Sequence, residues 1–287
     1  MDLLLKNKIA IVTGGASGIG ESVVKTFAEE GAVPVLLDLN FQQANALEAD
    51  LKSRGQEALA LQVDLRDENA CREAIEKVLE KYGAIDILIN NAGKNDGVKL
   101  GRPVADFRQS IEANLVHYYT MANYCLDPLK KSGGVIVNVA SKVALTGQGA
   151  TSGYAAAKGG VLSLTREWAA QLLEFGIRVN AVVPAEVWTP LYKNIVGQLP
   201  DSKAFLEKIH RSIPLGNRMT TPEEIADMVV FLSSRRASHV TGQFVFVDGG
   251  YTHLDRLISV NKFAETQREE GGFGGSVLSG LSKLLKR

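Results

Sequence analysis

The chain has 287 residues, of which 45% are hydrophobic, and it carries 32 basic and 32 acidic residues. This length suits one α/β domain or two small ones, and zero formal charge argues against nucleic acid as a partner. Two cysteines without a CxxC pattern and four scattered histidines show no metal-ligand spacing, so no metal is expected. Lys6 and Lys8 interrupt the first apolar stretch, and no apolar run is long enough to span a bilayer. We therefore expect a cytoplasmic protein without a membrane partner.

Short apolar runs alternate with amphipathic stretches along the chain. The runs predict strands at 9–12, 33–37, 58–63, 85–89, 135–139, 177–183 and 244–247. The amphipathic stretches predict helices from a glycine-rich turn to about 31, and at 41–53, 67–81, 105–130, 153–174 and 222–233. This alternation predicts an α/β fold with a parallel sheet between two helical layers, in a single domain over 1–256.

Residues 257–287 differ in composition and are predicted to form a separate tail. A glycine-rich linker at 271–276 precedes a short amphipathic basic helix at 277–287. Three interpretations are open: an arm that packs on a neighbouring subunit, an anchor for a membrane surface or partner, and an engineered appendage. The linker-like composition favours the appendage.

The segment 13–20, TGGASGIG, follows the first strand and opens the first helix. Gly14 permits a tight turn, Gly18 lets a pyrophosphate approach the backbone, and Gly20 lets the helix pack close to the sheet. Asp38 ends the next strand, 18 residues beyond Gly20, where a carboxylate accepts hydrogen bonds from ribose hydroxyls. The residue after it is Leu39 rather than a basic residue, so the sequence predicts NAD rather than NADP.

A second group of polar residues predicts the chemistry. Tyr154 and Lys158 are four apart on a predicted helix, so they share one face with their Cβ atoms roughly 5–6 Å apart. Ser141 ends the preceding strand, where ligand sites form in α/β sheets. Asn114 lies in the middle of an earlier predicted helix, a position that helix propensity does not favour for asparagine.

These motifs together resemble the short-chain dehydrogenase/reductase family over about residues 6–256. The shared residues are Thr13, Gly14, Gly18, Gly20, Asp64, Asn90 to Gly93, Asn114, Ser141, Tyr154, Lys158, Pro184, Thr189 and Asp248 to Gly250. The resemblance implies a Rossmann-type, doubly wound sheet of about seven parallel strands, a nicotinamide cofactor and a homotetramer.

The family's roles carry over onto matching positions. The resemblance implies Tyr154 as general acid/base, Lys158 as the charge that favours its phenolate and holds the nicotinamide ribose, Ser141 as the group orienting the substrate, and Asn114 as the holder of a water. The implied cofactor-binding residues are Gly14, Ser17, Gly18, Ile19, Gly20, Asp38, Asp64, Leu65, Asn91, Ala92, Gly93, Tyr154, Lys158, Pro184, Val187 and Thr189. One departure is Ala185, where the family usually has glycine, which leaves the local loop shape open.

The loops after the fourth, fifth and sixth strands predict a polar substrate. The expected substrate contacts are Asn95, Ser141, Gln148, Tyr154, Glu186 and Trp188. Segments 184–192 and 247–256 resemble the L-fucose dehydrogenase branch of the family, which implies oxidation of the C1 hydroxyl of an aldose to a lactone. The alternatives are reduction of a 3-oxoacyl or other small carbonyl substrate, a non-catalytic NAD-sensing protein, and a protein recruited to membranes through its tail.

Overall fold

Seven parallel strands form one sheet within residues 1–254, the part of the chain that the computed structural model describes. They are β1 (Ile9–Thr13), β2 (Val33–Asp38), β3 (Leu59–Gln62), β4 (Ile87–Asn90), β5 (Val135–Val139), β6 (Arg178–Pro184) and β7 (Phe244–Val247). Their spatial order is β3-β2-β1-β4-β5-β6-β7. The Rossmann-type, doubly wound parallel sheet expected from the sequence is therefore confirmed. The expected linker and helix at 271–287 lie outside the described residues.

Both faces of the sheet are buried, which explains why the strands are continuously apolar. Side chains alternate between the two faces, so Ile11 and Val35 belong to one apolar cluster and Val12 and Leu36 to another. All four side chains have no exposed surface. A strand of this kind needs helices on each side, as in other parallel sheets.

Nine α-helices lie in the described part of the chain. They are α1 (Gly18–Glu29), α2 (Phe41–Ser53), α3 (Glu68–Tyr82), α4 (Val104–Ile111), α5 (His117–Ser132), α6 (Ser152–Gln171), α7 (Pro190–Gly197), α8 (Ser202–Arg211) and α9 (Pro222–Ser233). α2 and α9 begin and end where the sequence predicts. None of the helices described for residues 1–254 has the length and apolar character needed to cross a membrane.

The long helix predicted over 105–130 contains a π-helical turn at Glu112–Val116, which divides it into α4 and α5. Asn114, at its centre, has no exposed surface. Its Nδ2 donates to the carbonyl of Ser110 at 3.0 Å, and its Oδ1 accepts from the backbone N–H of Lys94 at 2.8 Å. The widened turn thus fixes a buried amide beside the loop that follows β4, and such turns occur often at functional sites.

Two helices, α7 and α8, lie between β6 and α9, in a stretch for which no element was predicted. Thr189 caps the first of them, accepting from the N–H of Tyr192 at 3.3 Å, and a proline follows at the first helical position. Asp201 caps the second, accepting from the N–H of Ala204 at 3.0 Å. Both caps are signals that the sequence carries.

Strand β1 pairs with β2 on one side and β4 on the other, so the chain connections diverge beside it. A side-chain network ties the carboxyl ends of β1 and β4 together. The Thr13 hydroxyl accepts from the N–H groups of Asn91 and Ala92 at 2.9 and 3.1 Å, and Asn91 Nδ2 donates to the Thr13 carbonyl at 2.9 Å. Ligands of doubly wound folds bind in the crevice outside such a point.

Replacing Thr13 by valine is expected to lower the free energy of unfolding. The isosteric change keeps the packing but leaves two N–H groups without an acceptor, at a cost of about 1–3 kcal/mol. Urea denaturation measures this loss. The matched control is Thr120→Val on α5, where the exposed hydroxyl bonds only to the Val116 carbonyl of its own helix. Equal effects of the two substitutions would contradict the expectation.

Candidate active site

A cleft of about 650 Å³ lies at the carboxyl ends of the strands. It brings together side chains and backbone from the ends of β1, β2, β4, β5 and β6 and from α6. The sequence-predicted residues in its lining are Gly14, Ser17, Gly18, Ile19, Asp38, Asn91, Ala92, Gly93, Asn95, Ser141, Gln148, Tyr154, Lys158, Pro184, Glu186, Val187 and Thr189. Most of the predicted site therefore converges on one cavity.

The glycine-rich turn allows a ligand at this end of the cleft to approach the backbone closely. Gly14 and Gly18 have φ angles of +63° and +58°, which side chains with a β-carbon rarely adopt. A β-carbon at Gly20 would lie 2.0 Å from the Gly14 carbonyl oxygen. Gly20 is therefore required by packing inside the turn, and it does not line the cleft.

The Asp38 carboxylate is held at the end of β2 by two backbone N–H groups. Its Oδ2 accepts from Ala16 at 3.0 Å and its Oδ1 from Asn40 at 2.8 Å. The carboxylate is thereby oriented toward the glycine-rich turn, which contains Ala16. Asp38 therefore holds a fixed negative charge at this end of the cleft, where the loop after β2 meets the glycine-rich turn.

The Lys158 side chain is almost fully buried at the cleft, since the residue is only 2% exposed. Its Nζ donates to the Tyr118 hydroxyl at 2.7 Å and to the Val139 carbonyl at 2.8 Å. The centre of the Tyr154 ring lies 5.7 Å from the same nitrogen. Lys158 therefore lies beside Tyr154, but its hydrogen bonds are to Tyr118 and Val139.

Burial controls the protonation of this pair. It lowers the pKa of Lys158 to about 7. It raises the pKa of Tyr154 to about 12, against a smaller lowering from the hydrogen bond to Ser141. Lys158 as the charge that favours the Tyr154 phenolate stays a prediction, and in the protein without ligands burial has the largest effect on the Tyr154 pKa.

Asn114 and Lys158 approach each other across Gly93. A β-carbon at Gly93 would lie 2.9 Å from Asn114 Oδ1 and 3.5 Å from Lys158 Nζ. Gly93 has a φ of +150°, a conformation that also favours glycine. Asn114 thus lies directly behind the cleft without lining it.

Three other predicted residues lie outside the cleft lining. Asp64 pairs with Arg66, whose Nε and second terminal nitrogen donate to the carboxylate at 2.9 and 2.6 Å. This pairing lowers the pKa of Asp64. Leu65 packs against the apolar cluster under the sheet. Trp188 stacks obliquely near Tyr192, with ring centres 6.3 Å apart. Their roles in ligand binding stay predictions.

Ala185, the departure from the family pattern, has a backbone that an alanine adopts readily. It is not among the described non-glycine residues with positive φ, which are Leu4, Asn7, Ala150 and Asn217. Its β-carbon therefore causes no backbone strain, and the residue lines the cleft beside Pro184.

The structure adds an ion pair that the sequence did not predict as part of the site. The Lys142 side chain, 6% exposed, pairs with Glu186, 19% exposed, in the wall of the cleft beside Ser141. The Lys142 ammonium also lies 3.8 Å from the centre of the Tyr251 ring. Burial and the neighbouring Glu186 carboxylate raise the pKa of Tyr192. The spacing of residues in the sequence does not indicate this cluster, because Lys142, Glu186 and Tyr251 are far apart in the chain.

A second unpredicted feature is the apolar wall supplied by α7 and α8. Its cleft-lining side chains are Leu191, Ile195, Phe205 and Ile209. The first three are 57%, 50% and 37% exposed, which is unusual for large apolar groups and expected at a binding site. The cleft therefore has a charged wall and an apolar wall.

Comparison with known proteins places the chain in a family. The family model described as enoyl-(acyl carrier protein) reductase matches residues 14–252. The chain is 36% identical to the 3-oxoacyl-(acyl carrier protein) reductase FabG of Thermotoga maritima, over 86% of this chain and 98% of the relative. It is 34% identical to the L-fucose dehydrogenase of Bos taurus, over 85% and 88%. The crystal structure of Cj0485 dehydrogenase matches with a TM-score of 0.86 and 45% identity, over 90% and 99%. The chain belongs to the short-chain dehydrogenase/reductase family of oxidoreductases.

The stability of the protein without ligands is expected to rise with pH between 7 and 8.5. The folded state holds the Lys158 pKa at about 7, below its usual 10.5, so in this window the unfolded chain binds more protons. Stability then increases by about 1 kcal/mol per pH unit. The burial-lowered pKa of His117, about 3, places its titration below this window.

Chemical denaturation at several pH values measures the slope. Lys158→Met is expected to remove it. Lys52→Met, which alters a lysine with a half-exposed side chain on α2, is expected to leave it in place. A slope that survives Lys158→Met would show that another group is responsible.

Proposed function

We propose that the protein is an NAD-dependent dehydrogenase that oxidises the C1 hydroxyl of an aldose, L-fucose or a similar sugar, to the lactone. The observation that carries this proposal is the Lys142–Glu186 ion pair in the wall of the cleft. Lys142 follows Ser141 directly in the chain. The ion pair therefore puts two opposite charges next to the hydroxyl group expected to orient the substrate. The L-fucose dehydrogenase relative supports the same substrate class.

A charged pair of this kind favours a substrate rich in hydroxyl groups. The carboxylate accepts hydrogen bonds and the ammonium donates them, so both can bind hydroxyls on neighbouring carbons. Gln148 and Asn95, also in the lining, add amide donors and acceptors. An acyl chain placed against this wall would bury the charges without new hydrogen bonds, which is costly.

The proton chemistry follows from Tyr154 and Ser141. The Ser141 side chain is near enough to Tyr154 to lower its pKa, and both line the cleft, so a substrate oxygen that reaches both groups is held for proton transfer. In oxidation the Tyr154 phenolate takes the proton of the C1 hydroxyl. Because burial raises the pKa of Tyr154 to about 12, the phenolate is scarce near neutrality and oxidation is favoured by higher pH.

The residues around the first turn fit a dinucleotide cofactor. Gly14 and Gly18 leave room for a pyrophosphate at the N-terminus of α1, where N–H groups are free to bind an anion. Asp38 is positioned to accept hydrogen bonds from ribose hydroxyls, and its charge opposes a 2′-phosphate, so NAD is preferred over NADP. When bound, NAD supplies the acceptor for the hydride that leaves the sugar carbon.

Reduction of a 3-oxoacyl or other small carbonyl substrate is the second candidate. The apolar wall from α7 and α8, with Leu191, Ile195 and Phe205 exposed, offers contacts to an acyl chain. The FabG relative supports the same alternative. Asp38, which argues against the phosphate of NADP, weighs against an NADPH-dependent reductase. The homotetramer and cytoplasmic location implied by the family resemblance stay predictions.

A panel of free aldoses with NAD or NADP tests the proposal directly. L-fucose or a close relative is expected to give NADH, followed by its absorbance, with a higher kcat/KM for NAD than for NADP. Tyr154→Phe is expected to lower kcat by roughly 10²–10⁴-fold, with NADH binding retained. Activity on a 3-oxoacyl thioester with NADPH and none on any aldose would replace the first candidate by the second.

Removing both charges of the ion pair is expected to affect aldoses selectively. Lys142→Met with Glu186→Gln should lower kcat/KM for the sugar by about 10–100-fold, because hydrogen bonds to charged groups contribute about 1.5–3 kcal/mol. Turnover of a small apolar alcohol should change little. The control is Arg54→Met with Asp50→Asn, an exposed pair on α2 and its C-terminus. Unchanged sugar kinetics in the cleft variant would remove the ion pair from substrate recognition.

A further inference from the structure

The Tyr118 hydroxyl lies behind the cleft and bonds to the Lys158 ammonium. Tyr118 has no exposed surface, and its hydroxyl is 2.7 Å from Lys158 Nζ and 2.9 Å from the Val139 carbonyl oxygen. Lys158 Nζ also reaches that carbonyl, at 2.8 Å. The three groups form a closed triangle of hydrogen bonds between α5, α6 and the end of β5.

We propose that Tyr118 is a positioning residue for Lys158, holding its side-chain nitrogen at the cleft and stabilising its protonated form. The inference rests on the part of the proposed function that assigns proton transfer to Tyr154 and Lys158. It adds a fifth side chain to Asn114, Ser141, Tyr154 and Lys158, one that no spacing motif contains.

The bonding capacity of the hydroxyl explains the effect. With Lys158 protonated, the Tyr118 hydroxyl donates to the Val139 carbonyl and accepts from the ammonium. With Lys158 neutral, the hydroxyl can instead donate to the amine, so both states keep a partner. A hydrogen bond to a charged group is roughly twice as strong as a neutral one, so the Tyr118 hydroxyl favours the protonated form of Lys158 over the neutral amine. Tyr118 therefore raises the pKa of Lys158, whereas desolvation lowers it.

The π-helical turn at Glu112–Val116 accounts for the placement of Tyr118. Asn114 and Tyr118 are four residues apart across the end of that turn, and both are fully buried. Asn114 reaches the Gly93 loop, and Tyr118 reaches the nitrogen of Lys158. One distortion of the helix thus directs two polar groups toward the same lysine.

The other titratable groups near the triangle do not change charge near neutrality. His117, whose ring centre is 4.8 Å from that of Tyr118, has its pKa lowered to about 3 by burial and by the Lys158 charge. Burial keeps the pKa of Tyr118 well above its usual 10 and that of Tyr154 at about 12, the latter also raised by Asp96. A titration between pH 5 and 9 in this cluster is therefore that of Lys158.

The test follows the Lys158 charge directly, in the protein without ligands. Titration of the ¹³Cε signal of Lys158, assigned by its loss in Lys158→Met, is expected to show a midpoint near 7. In Tyr118→Phe the midpoint should fall by about one pH unit, a tenfold change in the acid constant. Tyr124→Phe is the matched control, since Tyr124 lies on α5 and bonds to Glu68 away from the cleft.

Two further measurements separate positioning from general stability. Thermal unfolding reports whether Tyr118→Phe is folded. 4-Fluorophenylalanine at position 118 keeps the ring and fills part of the space of the hydroxyl but offers neither a donor nor a strong acceptor and does not ionise, so the same fall of the midpoint is expected. An unchanged midpoint in the folded Phe variant, or in the fluorinated protein if the Phe variant does not fold, overturns the proposal.

Enzymatic assays then distinguish this proposal from the function it rests on. With any substrate that the wild type oxidises, Tyr118→Phe should move the acidic limb of the kcat/KM profile to higher pH, because a Lys158 that is less often protonated favours the Tyr154 phenolate less. NADH binding, measured by fluorescence, should weaken because the Lys158 nitrogen is less well held. A shifted ¹³Cε titration without activity on any aldose would support the positioning role while refuting the sugar assignment.

Discussion

Parallel pairing of β1 with both β2 and β4 is the constraint on which the site depends. It makes the chain connections diverge on the two sides of β1, and the space between them becomes the cleft. The Thr13 hydroxyl fixes this opening by binding two N–H groups at the end of β4. The glycine-rich turn, the Asp38 carboxylate and the Gly93 loop all take their positions from these strand ends.

The protein places ionisable groups where water cannot solvate them. Lys158 and Lys142 are both buried in the lining of the cleft, yet their surroundings differ. Lys142 has a carboxylate partner in Glu186, whereas Lys158 has a hydroxyl and a carbonyl. Burial without a counter-charge lowers the pKa of Lys158 to about 7. Under the proposed function, one buried lysine serves proton exchange and the other substrate recognition.

Local patterns in the sequence predicted the sheet, most helices and most of the cleft lining, because periodicity and strand-end positions are properties of short segments. The π-helical turn was not predicted from local patterns, and Asn114 at its centre bonds to Lys94, a residue on another segment. The Lys142–Glu186 pair and the Tyr118–Lys158 bond join residues 44 and 40 positions apart. Such contacts depend on the completed fold. Helices α7 and α8 were not predicted, although their caps at Thr189 and Asp201 are made by residues within short segments.

The apolar wall of α7 and α8 has a consequence for the heat of binding. Leu191 and Ile195 expose half or more of their surface to water in the cleft. A ligand that covers them removes apolar surface from water and makes the heat capacity of binding negative. A ligand held only by the charged wall leaves that surface hydrated and lacks this contribution. The temperature dependence of the binding enthalpy therefore reports which wall of the cleft a ligand occupies.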